Sequence, residues 1–132
     1  MNSSVDAMKA YSNVNVEASV EGANPHQLIQ LMLTSAIEKI RVARGHLQRE
    51  EVAKKGEQIG KAISIVEALR ASLQEEGGDI SNHLDQLYDY VCRRLLEGNA
   101  TNNEECLTET SALLSEIKSA WDEIPELLAA PA

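Results

Sequence analysis

Three histidines and two cysteines (His26, His46, His83, Cys92 and Cys106) carry most of the reactive chemistry of this chain. A metal held inside a helical bundle needs Glu and His three residues apart, because that spacing puts both ligands on one helix face. The residues three before the histidines are Ala23, Ala43 and Ile80, so no such pair exists. The histidines are expected on the surface, as His usually is outside active sites, with His26 in the first turn of a helix. Cys92 and Cys106 lie fourteen residues apart with no Cys-x-x-Cys and no neighbouring His. A bridge between them is conceivable, but two small buried hydrophobes is the better reading. No phosphate-cradling glycine loop occurs. The expectation is a protein without catalytic residues, cofactor or metal, and not an enzyme.

The scaffold is clearer than the chemistry. Among 132 residues, 12 are Lys or Arg and 21 are Asp or Glu, a net charge of −9. That balance argues against nucleic acid, whose binders show a basic stripe. Nor is there a signal-peptide core or an apolar run of about 18 residues to insert into a membrane, so a cytoplasmic location is expected. With no Phe and few other aromatics, the core must be Leu, Ile, Val and Ala, which favours helices.

Four amphipathic stretches follow. Asn24 as N-cap, Pro25 and Gln27 open helix 1 with a capping box. Its stripe runs Ile29, Leu33, Ala36, Ile40, Ala43, Leu47. Helix 2 spans about Glu51 to Glu75, with Val52, Ile59, Ala62, Ile63, Val66, Leu69 and Leu73 inward, and stops at Gly77-Gly78. Helix 3 carries Ile80, Leu84, Leu87, Tyr88, Val91 and Leu95 and is expected to stop at Gly98-Asn99. Asn102, with Glu105 completing a second box, caps helix 4, whose stripe is Leu107, Thr110, Leu114, Ile117, Trp121 and Ile124 before Pro125. Short connections force antiparallel neighbours. The predicted fold is all-α: an antiparallel up-down-up-down four-helix bundle over 25–125, with an N-terminal arm (1–24) and a short tail (126–132). The arm alternates Val14, Val16, Ala18, Val20, a period of two that reads as extended; with no second strand to pair with, it is either a disordered N-terminus or an extended arm laid on the domain.

Some apolar residues fall outside the stripes. At about 100° per residue, Ile37, Val42 and Leu31 sit about 100–140° from Ala36, Ile65 about 100° from Val66, and Tyr90 and Leu96 about 120° to either side of Leu84. Joined across helices, Leu31, Ile37, Val42, Ile65, Tyr90 and Leu96 would form a groove for a peptide with apolar anchors. The arm, through Tyr11, Val14 and Val16, is the expected cover of that groove. From Glu97 to Glu126 eight acids face one cation, Lys118; such a layout is usually a solvated helix face, and it could also keep a complex soluble or steer it to a basic partner surface.

The stretch Ala10-Tyr11, Asn24-Pro25-His26-Gln27-Leu28-Ile29 and Ala36-Ile37-Glu38-Lys39-Ile40 resembles the flagellar secretion chaperone family FliS. So do Ala62-Ile63, Leu69-Arg70-Ala71-Ser72-Leu73 with Gly77-Gly78, and Leu84-Asp85-Gln86-Leu87-Tyr88-Asp89-Tyr90 with Arg93-Arg94-Leu95-Leu96, and finally Leu113-Leu114 and Ala120-Trp121. The resemblance implies a cytoplasmic export chaperone that binds the disordered C-terminal segment of flagellin, keeps it from polymerising and delivers it to a component of the flagellar type III export gate. It also implies that the segment bearing Tyr11 covers the bundle and moves when client binds. Leu33-Thr34-Ser35 depart from the family, where many members carry a Tyr-Asp-Gly-like triplet. Two alternatives stand beside it. Histidine phosphotransfer bundles carry His with Lys three on and Gly four on; His46 has Arg49 and Glu50, and His83 has Gln86 and Leu87. The other is a bundle whose stray apolar residues mediate self-association as a weak homodimer.

Overall fold

The computed structural model describes residues 24–73 and 78–124, which form four helices: α1 Pro25–Gln48, α2 Val52–Leu73, α3 Gly78–Thr101 and α4 Glu104–Glu123. Each helix packs only on α1–α2, α2–α3, α3–α4 and α4–α1 pairings, so the four form a closed ring in cross-section. The side-chain bonds show the directions: Arg70 near the end of α2 meets Asp85 early in α3, and Gln30 early in α1 meets Asp122 late in α4. This is the expected antiparallel bundle. Arm residues 1–23 (Tyr11, Val14 and Val16 among them), Gly77 and Pro125 with the tail lie outside the described residues.

The capping box that opens α1 is as the sequence requires. Asn24 Oδ1 accepts from the Gln27 N–H at 2.8 Å and Gln27 Oε1 accepts from the Asn24 N–H at 3.2 Å. The helix then ends in a Schellman turn: the N–H of Glu51 bonds His46 O at 2.8 Å and that of Glu50 bonds Leu47 O at 3.0 Å. Glu50 occupies the left-handed position at φ 60°. The apolar clasp usual in such a turn is replaced by a bond from His46 Nδ1 to Glu51 Oε1 at 2.8 Å.

The α3–α4 turn departs from expectation. Gly98-Asn99 do not stop α3; Gly98 is buried within the helix, and a Cβ there would lie 2.8 Å from the Cβ of Cys106. The glycine serves close approach of two helices rather than chain reversal. Reversal falls to Asn102 at φ 51°, and the cap of α4 is Asn103, which accepts from the Glu105 N–H at 3.0 Å. Gly98→Ala should therefore destabilise by about 1–3 kcal/mol through overpacking, against a helix-propensity gain of about 1 kcal/mol. Gly60→Ala, with open space around the new methyl, should stabilise by about 0.5–1 kcal/mol. Urea midpoints of the two variants should move in opposite directions.

The core contains Leu33, Ala36, Ile40, Ile59, Ala62, Val66, Leu69, Val91, Leu95, Leu107 and Leu114, the residues that the helical stripes nominate. Lys55 joins it at 1% exposure, its Nζ donating to Asn99 O at 2.8 Å and Asn102 Oδ1 at 2.6 Å. Cys92 and Cys106 are both buried and free.

Candidate functional site

Helices α3 and α4 are tight at their turn and open at the other end. Beside the turn, Gly98 lets Cys106 approach. Midway, Tyr90 donates to Glu109 Oε2 at 2.6 Å and Arg94 Nε donates to Glu109 Oε1 at 2.7 Å, lacing the two helices from outside. Beyond this clasp the core faces of both helices reach solvent. Measured by helix phase from the fully buried Val91, Leu84, Ile80 and Leu87 lie within about 40° of the core direction. Yet Ile80 is 79% exposed and Leu87 38%, and Leu84 is only partly buried. Opposite them on α4, Leu113, Ile117 and Trp121 are partly buried and Ile124 is 36% exposed. The result is a shallow apolar cleft, its base formed by Leu84, Leu113, Ile117 and Trp121 packed on the core and its rim by the exposed Ile80, Leu87 and Ile124.

The cleft's inner end is held by charge. Glu109's carboxyl is held below its ordinary 4.5, first by the Tyr90 phenol and then by Arg94. The same bond to Glu109 raises the Tyr90 phenol. Between Glu109's lowered value and 4.5 the unfolded chain binds more protons than the folded one, so stability falls as pH falls through that window. Tyr90→Phe should move the Glu109 titration seen by NMR back toward 4.5 and flatten the acid side of the stability profile. At the open end, Trp121 is tied to α1: its Nε1 donates to His26 O at 3.0 Å, and its ring stacks on the His26 imidazole with centroids 5.1 Å apart. His26 is therefore not a surface residue. It is 2% exposed, and sequence pattern missed it because its aromatic partner lies 95 residues away.

The six residues expected to make a groove do not form one seam. Ile65 is fully buried and Ile37 is 6% exposed, so both belong to the core rather than to surplus surface. The reason is packing width: a helix with neighbours on two sides buries well over the single stripe used to rank it. Ile37 also lines a trough of about 240 Å³ between α1 and α4, otherwise polar with Thr34, Glu38, Arg41, Ser115, Lys118 and Ser119. Leu31 is partly buried and Val42 36% exposed on α1, Tyr90 is engaged with Glu109, and Leu96 is 56% exposed on the flank of α3 nearer α2. What pattern reading overlooked is that Ile80, Leu84 and Leu87, assigned to the core, are left half open.

His46 is engaged by Glu51 and Arg49, and His83 Nδ1 lies 2.8 Å from Asp79 O. Among the described residues no cluster of His, Cys, Asp or Glu is arranged to hold a metal ion, and no helix is long and apolar enough to cross a membrane.

A helical bundle that leaves a core-lined cleft open to solvent belongs with protein-binding modules, since exposed contiguous apolar surface marks an interaction site. The particular kind is fixed by kinship. A family model for the flagellar protein FliS matches residues 7–127, and the chain belongs to that family. It is 49% identical to flagellar secretion chaperone FliSB of Pseudomonas aeruginosa over 89% of this chain and 94% of the relative. It is 38% identical to flagellar secretion chaperone FliS of Vibrio cholerae, over 90% of this chain and 88% of that protein, and 44% identical to FliS of Salmonella typhimurium over 89% and 88%.

Proposed function

We infer that this protein is a cytoplasmic flagellar export chaperone. It binds the disordered C-terminal segment of flagellin, holds it from premature polymerisation and presents it to the type III export apparatus. The observation that carries this reading is the apolar surface at the open end of α3 and α4, where Ile80, Leu87 and Ile124 are exposed beside Leu84, Ile117 and Trp121, which pack on the core. Membership of a chaperone family supports the class of client. A disordered client can wrap a large surface, so exposed Leu96 and Val42, together with Leu31 and Tyr90, serve as outlying contacts rather than as one groove. The arm with Tyr11, Val14 and Val16 covers the α1–α2 side, where Leu31 and Val42 lie.

The energetics are compatible with useful affinity. Ordering the client costs about 2–5 kcal/mol, whereas full burial of one large apolar side chain contributes about 1.5–3 kcal/mol. Three or four anchors seated in the cleft exceed the ordering cost, and the binding is stoichiometric with no turnover. Size-exclusion chromatography with a flagellin C-terminal peptide tests this. Co-elution as a one-to-one complex is the expected result; separate elution at concentrations well above micromolar would overturn it. A shift to larger size without peptide would instead favour self-association.

A further inference from the structure

We propose that Glu109 is a latch on the seam between α3 and α4, and that the seam parts beyond it to seat client; the second half of this statement rests on the chaperone reading. The four helices form a ring, and at its open end three sides are held firmly. Between α2 and α3, Arg70 donates to Asp85 at 3.0 Å and to Asp89 at 3.3 Å. Between α4 and α1, Gln30 donates to Asp122 at 2.8 Å and Trp121 to His26 O at 3.0 Å. At the same height α1 and α2 hold Met32, Leu33, Ile65 and Leu69 buried. The fourth side differs. Among the described residues, and apart from the turn itself, the polar ties between α3 and α4 all run to one carboxylate, that of Glu109, from Tyr90 and Arg94.

The packing under the seam shows the same asymmetry. Toward the turn it is closed by fully buried Leu95, Cys106 and Leu107 and by the close approach of Cys106 to Gly98. Beyond the latch Leu84, Ile117 and Trp121 are only partly buried, and Leu87 is exposed. A region with few buried apolar contacts opens at low free energy. The first half of α3 therefore tilts away from α4 about Gly98 while Arg70 keeps it on α2. A shallow cleft takes only the ends of client side chains. Tilting deepens it, and release from Glu109 frees the Tyr90 phenol to face the client. In the empty protein the latch keeps the seam shut, so the open form is a minor state that client selects.

The test measures distances between paired nitroxides in the full chain. Gln86→Cys with Ala120→Cys spans α3 and α4, and Ser64→Cys with Gln86→Cys spans α2 and α3; all three positions are exposed. Native Cys92 and Cys106 are buried, so the labels go to the introduced thiols. Glu109→Gln should add a longer-distance population to the α3–α4 pair and leave the α2–α3 pair unchanged. Tyr90→Phe should act in the same direction with a smaller population. A saturating flagellin C-terminal peptide should give the native sequence that same longer distance. In unlabelled protein, Glu109→Gln should bind the peptide about three- to tenfold more tightly, the factor by which the open fraction rises. An α3–α4 distance that Glu109→Gln leaves unchanged overturns the latch, and so does equal broadening of both pairs, which is general loosening. Peptide that binds with the seam still shut overturns the parting and leaves client on the rim alone, with the chaperone reading intact. Lengthening in Glu109→Gln without any co-elution of peptide supports the latch while the chaperone reading falls.

Discussion

Lys55→Ala should lose about 2–5 kcal/mol of stability, the range for removing a buried side chain of methionine length. The loss is a large part of the 5–15 kcal/mol that holds an ordinary domain together. Lys55 sits at 1% exposure with its ammonium at the C-terminal end of α3. There it satisfies Asn99 O, one of the carbonyls that a helix end leaves without a partner, and fixes Asn102, the left-handed residue of the α3–α4 turn. A cation at that end also opposes the helix dipole. Lys55→Met keeps the stem and removes the donors, so it should cost only about 1–3 kcal/mol. Urea unfolding of both variants separates stem from charge; equal losses would mean that packing contributes nothing.

The same lysine predicts a pH dependence of defined sign. Burial pushes the ammonium below its ordinary 10.5 in the folded protein. Between that lowered value and 10.5 the unfolded chain holds the proton more often than the folded one, so stability rises with pH across the window. The gap in stability between the native sequence and Lys55→Met should widen there in favour of the native sequence. A gap that stayed constant with pH would show the amine already neutral or well solvated.

Much of this architecture can be read from apolar spacing, because burying one face is what a bundle helix must do. Asn24, Pro25 and Gln27 announce their helix start through purely local bonds, and local bonds are what pattern reads well. The errors share one cause: each concerns a residue whose role is set by a distant neighbour. Gly98 looks like a stop until Cys106 is seen against it, and the burial of Lys55 against Asn99 and Asn102 has no local signal at all. His26 needs Trp121. The groove fared worst, because phase angles say how a side chain points but not whether another helix stands there. Ile65 points off-stripe and is covered, whereas Ile80 points at the core and is bare.

That contrast makes the second large prediction, the loss of client on changing the cleft. Ile80→Glu with Leu87→Glu should weaken binding of the flagellin C-terminal segment by at least about 100-fold, since two lost anchors at about 1.5–3 kcal/mol each amount to two or more decades of Kd. Both residues are exposed enough that the folded bundle should tolerate the change, and an unaltered urea midpoint verifies it. Val52→Glu, equally apolar and 50% exposed but at the start of α2 by the other end of the bundle, should leave affinity unchanged. Titration of the peptide followed by Trp121, the single tryptophan, reads the effect directly from the cleft wall. If the Val52 and the paired cleft variants weakened binding alike, the client would be held by scattered apolar contacts. A loss confined to Ile80 and Leu87 would put the anchors where α3 and α4 part, with the client supplying the neighbour that the two helices lack.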